Sequence, residues 1–186
     1  RRVADLDGSG RYISANEILV LLYYYLHEYK GWKGPVVRNL STTHLLDRVA
    51  ESLGETCYEV PVGFKYISAK IDEVVAVLGG ESSGGLTVRG HIHGKDSVYS
   101  SALFVEMMCR TGMRPSEMIE RIAAPFGPYV MKESNIAFAA DDRAALERRI
   151  LADRELPNFG AAPAKVSYLD GCKVYFTDDS FVVCRF

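Results

Sequence analysis

Residues 35–78 alternate short apolar runs with amphipathic ones, and glycine or proline marks most of the joints. The runs at 35–40, 55–60 and 74–78 have the length and apolar character of buried strands, while 42–53 and 64–71 carry helical spacing. Gly54 ends the first of these helices, and a glycine-rich turn follows the third strand. Strand, helix, strand, helix, strand leaves few arrangements open. The strands share one sheet and the helices pack upon it, which is the α/β class.

The flanking segments extend that layer. Ser14 and Glu17 have the spacing of a capping box before a helix at 15–29, with Gly31 as its stop. Ile18, Leu21, Leu22, Tyr25 and Leu26 line one face, and Val20, Tyr23 and Tyr24 make the helix apolar nearly all round. Such a helix is expected to be covered on more than one side. Two further helices are predicted at 97–111 and 115–124. The segment 124–132, with Pro125, Gly127 and Pro128, reads as a linker. Beyond it lie a strand-like run at 136–139, a charged helix at 141–151, and strands at 166–169, 173–177 and 181–185 with Asp-Gly and Asp-Asp turns between them. The expected architecture is a three-layer αβα domain at 13–128, with a mixed sheet and helices on both faces. An incomplete α+β domain at 129–186 follows it.

Composition removes several function classes. The chain has 22 Lys plus Arg against 24 Asp plus Glu, a net charge of −2, so it lacks the basic excess of a general nucleic-acid binder. The longest apolar stretch, 18–26, falls far short of the roughly 20 residues that cross a bilayer. No charged leader with an apolar core opens the sequence, and the expected location is the cytoplasm. Cys57, Cys109, Cys172 and Cys184 are scattered, with no close pair to suggest zinc or redox chemistry, and read as isolated buried thiols.

Four groups of residues could carry chemistry. Asp5 and Asp7, two apart in a glycine-containing loop, could converge on a magnesium or calcium ion; the other reading is an acidic turn before a helix. An EF-hand loop fits poorly, because Ile13 and Glu17 each come one residue late and no helix precedes Asp5. Gly79 to Gly85, Gly-Gly-Glu-Ser-Ser-Gly-Gly, follows a strand and lets the backbone approach a ligand, with Glu81 and Ser83 offering hydrogen-bonding groups to hydroxyls. The pattern by itself reads first as a mobile turn, and the loop's place at a strand end raises the ligand-site reading beside it. Lys65 stands at another strand-to-helix joint and could hold an anion; the other and usual reading is a surface lysine. His91 and His93 would share a face if they lay on a strand, a possible metal pair; loop histidines near a polar ligand are the preferred reading, and Asp96 caps the next helix.

Taken in order, these pieces resemble the phosphohexomutase family of phosphoglucomutases and phosphomannomutases. ISANEILVLLYYYL, GWKGPVVRNLSTTHLLDRVAESLG and YEVPVGFKYI resemble the start of that family's third domain. GGESSGG resembles its sugar-recognition loop, HGKDS its Lys-Asp helix entry, and DDSFVVCRF the strand into the fourth domain's phosphate-binding loop. The resemblance implies that Glu81 and Ser83 grip sugar hydroxyls, that Lys65 lies in the substrate cleft, and that Arg185 begins the phosphate loop. It also implies that residues 1–12 are the remnant of a metal-loop domain, with Asp5 and Asp7 supplying carboxylates to Mg2+.

Departures accompany the likeness. The family's metal loop has three Asp followed by Arg, whereas this chain has two Asp running directly into Ser9-Gly10-Arg11. Nothing here matches the phosphorylated catalytic Ser, the phosphate loop beyond Arg185 is missing, and Gly85 stands where some members carry His. The expectation is therefore a fragment of a hexose-phosphate mutase that does not turn over alone. Its parent would use Mg2+, an enzyme phosphoserine and a hexose 1,6-bisphosphate intermediate, and would act as a monomer or homodimer. The alternatives are a non-catalytic sugar-phosphate-binding module and, less well supported, a calcium-binding α/β protein.

Overall fold

The computed structural model describes residues 2–186 and divides into two compact units, meeting between Tyr129 and Val130. Residues 2–12, expected as the remnant of a separate domain, group with the first unit. They form a hairpin, β1 (Asp5–Leu6) against β2 (Tyr12–Ile13), that leads into α1 (Ala15–Glu28). Ser14 and Glu17 close the capping box that their spacing predicts, the Glu17 backbone N–H donating to Ser14 Oγ and the Ser14 backbone N–H to Glu17 Oε2. Ile18 to Tyr23, Tyr25, Leu26 and His27 are buried, so α1 is covered nearly all round, as its composition requires.

The main sheet contains β3 (Val36–Asn39), β4 (Cys57–Val60), β5 (Leu78–Gly80) and β6 (Leu86–Val88) in the order β4-β3-β5-β6. The first three strands are parallel and β6 runs antiparallel to β5. Between them run α2 (Leu45–Ser52) and α3 (Phe64–Val74), followed by α4 (Ser97–Thr111) and α5 (Pro115–Ala123). Strand alternation sorts the side chains into two layers. Val36, Leu78, Leu86 and Val88 join the core built with α1, α2, α4 and α5, whereas Val37 and Val60 pack with Ile67 and Ile71 of α3 on the other face. The fold is the expected three-layer α/β sandwich around a mixed sheet.

Two local points need correction. The third strand is not 74–78 but Leu78–Gly80, because Val74 ends α3 and Val75 caps it in the left-handed region at φ 53°. The two glycines are required there by close packing. A Cβ on Gly79 would lie 2.6 Å from Ile67 Cγ2, and one on Gly80 would lie 2.5 Å from Leu19 Cδ1. Second, β6 has no counterpart in the sequence reading, since three residues buried on both sides show no alternation. His91 and His93 lie in the turn after β6, in agreement with the preferred loop reading and not with a strand-borne metal pair.

The second unit contains α6 (Ala140–Glu147), a π-helical turn at Arg148–Ala152, and an antiparallel sheet of β7 (Lys165–Ser167), β8 (Cys172–Tyr175) and β9 (Phe181–Cys184). The three strands agree with the sequence, but the run at 136–139 is extended and exposed, with no ladder partner. The scattered cysteines also look different in the fold. Cys172 and Cys184 stand directly opposite one another on β8 and β9.

Candidate functional site

In an open α/β sheet, ligands bind beyond the carboxyl ends of parallel strands where successive connections leave in opposite directions. The connection from β3 leads to β4 on one side, and the chain leaving β5 turns to β6 on the other. The loops after β3 and β5 therefore flank that point, and hydrogen bonds join them. Thr42 Oγ1 donates to Asn39 Oδ1 at 2.7 Å and accepts the Ser82 backbone N–H at 3.1 Å.

The 81–85 loop is tightly closed. Glu81 N–H donates to the Gly85 carbonyl and Gly84 N–H to the Glu81 carbonyl, both at 2.9 Å. Gly84 adopts φ +92°, and a Cβ there would lie 2.8 Å from the Val3 carbonyl oxygen, so glycine is needed on both counts. Glu81 is 4% exposed and its Oε2 meets Lys95 Nζ at 2.5 Å, while the exposed Ser83 hydroxyl donates to the same oxygen at 3.3 Å. The Lys95 stem fills the space where a Cβ on Gly85 would fall, within 2.6 Å of its Cε. Its ammonium also lies 5.4 Å from the centre of the Phe64 ring at the start of α3. Lys95 is the partner of Glu81 that sequence reasoning missed, since only the β5–β6 hairpin and the following turn bring the two together.

Lys65 is exposed in the first turn of α3, next to Phe64, and its ammonium rests 4.8 Å above the Tyr66 ring. Gly63 forms the N-cap with φ 134° and has no side chain to satisfy the first amides of α3. A helix N-terminus without a side-chain cap, with a lysine in its first turn, suits an anion. Glu81 and Ser83, in the loop after β5, and Lys65, in the first turn of α3 after β4, thus follow the carboxyl ends of strands of one sheet.

Asp5 and Asp7 are elsewhere, on the N-terminal hairpin. Asp7 Oδ1 accepts the Ser9 N–H at 2.9 Å, the Ser9 hydroxyl at 2.6 Å and the Arg11 N–H at 3.0 Å, while Oδ2 is buried without a hydrogen-bond partner. The nearby Ser116 hydroxyl, then the Ser9 hydroxyl and the Ser9 and Arg11 amides, hold this carboxyl well below the usual carboxylate range against the opposing effect of burial. Among the described residues no three His, Cys, Asp or Glu side chains converge as a metal site. The donor set does not fit a complete Mg2+ shell, and Asp7 holds a tight turn together.

Arg185 belongs to the second unit, where its guanidinium pairs with Asp170 at 3.2 Å. The two histidines bind different carboxylates. His91 Nε2 is 2.9 Å from Asp96 Oδ2 and its ring stacks on Tyr99, while His93 Nδ1 is 3.2 Å from Asp72. Asp96 Oδ1 also accepts the Val98 and Tyr99 amides, capping α4 as expected. A further polar cluster had no signal in the sequence. Arg38, 3% exposed on β3, binds Asp47 through Nε and Nη2 at 2.6 and 2.8 Å and Glu59 through Nη1 at 2.7 Å.

A loop with a buried carboxylate beside an exposed hydroxyl thus lies at the switch point of a three-layer α/β fold, where open sheets of this class bind ligands. Residues 14–126 match the family description "Phosphoglucomutase/phosphomannomutase, alpha/beta/alpha domain III", and the chain belongs to that family. A phosphoglucomutase/phosphomannomutase of Thermococcus kodakarensis is 25% identical over 184 residues, covering 99% of this chain and 38% of that protein. A phosphoglucosamine mutase of Rubrobacter xylanophilus is 32% identical over 117 residues, which is 63% of this chain and 26% of the relative. A solved structure from Thermus thermophilus, 28% identical, superposes over the whole chain and 38% of its own length with a TM-score of 0.75. The chain spans well under half the length of these relatives. No helix among the described residues is long and apolar enough to cross a membrane.

Proposed function

We propose that this chain supplies the sugar-recognition part of a hexose-phosphate mutase that interconverts sugar 1- and 6-phosphates. The observation that carries the reading is the position of Glu81 and Ser83 at the switch point, inside the region that matches domain III. Glu81 accepts hydrogen bonds from sugar hydroxyls and Ser83 adds a second polar contact. Lys65, beside the open N-terminus of α3, attracts the phosphate that is not being transferred. Arg185, in the second unit, supplies a cation for phosphate as the first residue of a phosphate-binding loop. These groups bind and orient; none of them exchanges a bond with phosphorus.

A ligand held by its hydroxyls at the 81–85 loop could be seated in either orientation, so the one loop serves both halves of a mutase reaction that passes through a hexose 1,6-bisphosphate. The phosphoserine that donates and recovers the phosphoryl group, and magnesium as the ion that offsets its charge, belong to the whole protein, which we place in the cytoplasm as a monomer or homodimer. The test uses the whole protein that contains these residues, given glucose, mannose and glucosamine 1-phosphates in separate reactions followed by phosphorus NMR. Appearance of a 6-phosphate in at least one reaction supports the reading. Binding without conversion favours a non-catalytic sugar-phosphate module, and neither binding nor conversion overturns both.

A further inference from the structure

We propose that Cys172 and Cys184 are a reversible dithiol–disulfide pair, a redox modification site in the C-terminal sheet. They are direct partners in the antiparallel β8–β9 register. Opposite residues in such a ladder project to the same face with Cα atoms about 4.5–5.5 Å apart, within the roughly 4.4–6.8 Å that a disulfide spans. Both thiols are free in the structure. Cys57 and Cys109 belong to the first unit, on β4 and α4, and have no cysteine opposite them.

The two thiols differ in access, which gives the reaction an order. Cys172 is 3% exposed, whereas Cys184 is only partly buried. Burial pushes the Cys172 thiol up, Tyr168 opposes the shift, and the neighbouring Cys184 adds to it. Cys184 is therefore the thiol that meets a small-molecule disulfide such as oxidised glutathione. Its thiolate attacks one sulfur, a new S–S bond forms, and one glutathione thiolate leaves. Cys172 then gives up its proton and attacks the Cys184 sulfur, releasing the second glutathione. The protein loses two hydrogens and two electrons, and the glutathione disulfide gains them as two thiols.

The backbone around the pair is closely fitted. Gly171 adopts φ +83°, and a Cβ there would collide with the Cys184 carbonyl oxygen, so β9 passes hard against the residue before Cys172. The Asp170–Arg185 pair lies at the same end of the ladder. Cross-linking the cysteines would pin the strand that presents Arg185. Should Arg185 hold phosphate as proposed above, oxidation would also reach that site.

The test equilibrates the native chain with oxidised and reduced glutathione, blocks the remaining thiols, and maps the peptides by mass spectrometry. The expected product links the Cys172 and Cys184 peptides with loss of those two thiols, counted separately from a glutathione adduct on the exposed Cys109. It survives in a Cys57→Ser/Cys109→Ser variant, and reduction returns all the thiols. In Cys172→Ser the reaction should stop at a mixed disulfide on Cys184. A stable mixed disulfide on Cys184 in the unmodified chain, or free Cys172 and Cys184 thiols in the folded oxidised sample, would overturn the proposal. The readout is covalent and independent of turnover, so it stands apart from any failure of the mutase reading.

Discussion

Gly80→Ala sets two opposed effects against each other, and the structure decides the sign. Alanine in a strand loses less backbone freedom than glycine, which would stabilise the fold by about 0.5–1 kcal/mol. The added methyl carbon, however, would stand 2.5 Å from Leu19 Cδ1, with the Gly85 carbonyl oxygen and Leu86 Cβ each at 3.1 Å. An unstrained carbon contact needs about 3.5–4.0 Å, so the overlap with Leu19 is about 1 Å. Leu19 is 1% exposed in α1, flanked by the buried Ile18 and Val20, so it cannot swing out to solvent without opening the core. Such overpacking costs about 1–3 kcal/mol, and the net expectation is a destabilisation of about 1–2 kcal/mol. Trp32, the only tryptophan, packs against this core and reports unfolding of the first unit by fluorescence in urea. The midpoint should fall with an unchanged slope. A midpoint equal to or above that of the parent chain would refute the close approach of β5 to α1.

Two further predictions concern polar groups. Asp7 has its carboxyl depressed in the folded chain, so its contribution to stability is present above the ordinary carboxylate value and is lost as pH falls through the folded one. Asp7→Ala should lower stability at neutral pH and flatten the acid limb of a pH–stability curve, and an unchanged curve would remove Asp7 from the turn. Arg38→Met would leave Asp47 and Glu59 without their shared cation. The expected loss is about 3 kcal/mol in urea unfolding, with partial recovery when Asp47→Asn and Glu59→Gln are added; a change under about 0.5 kcal/mol would show the cluster to be dispensable.

Local signals were legible in the sequence, while signals that depend on distant partners were not. The Ser14–Glu17 capping box and the Asp96 cap act over three residues, and both occur as their spacing requires. Gly79 and Gly80 read as the beginning of a turn because nothing local says that Ile67, Ile71 and Leu19 will crowd them. Glu81 and Ser83 could be singled out from their glycine-rich setting, but Lys95, the cation that Glu81 holds, could not. The same holds for Arg38 with Asp47 and Glu59, and for Cys172 with Cys184, whose meeting depends on sheet register. Asp5 and Asp7 show the converse. A spacing that suits a metal also suits a hairpin turn, and here the Ser9 and Arg11 donors take one carboxylate oxygen of Asp7.

The central claim is that the 81–85 loop recognises the sugar. It is tested most directly by kcat/KM for hexose 1-phosphate conversion in the whole protein, with and without Glu81→Gln. A buried carboxylate that accepts hydroxyl hydrogen bonds should contribute about 1.5–3 kcal/mol, so the substitution should lower kcat/KM by about 10- to 150-fold, with urea unfolding showing that the protein is still folded. A value within about twofold of the parent, in a folded variant, would contradict the account.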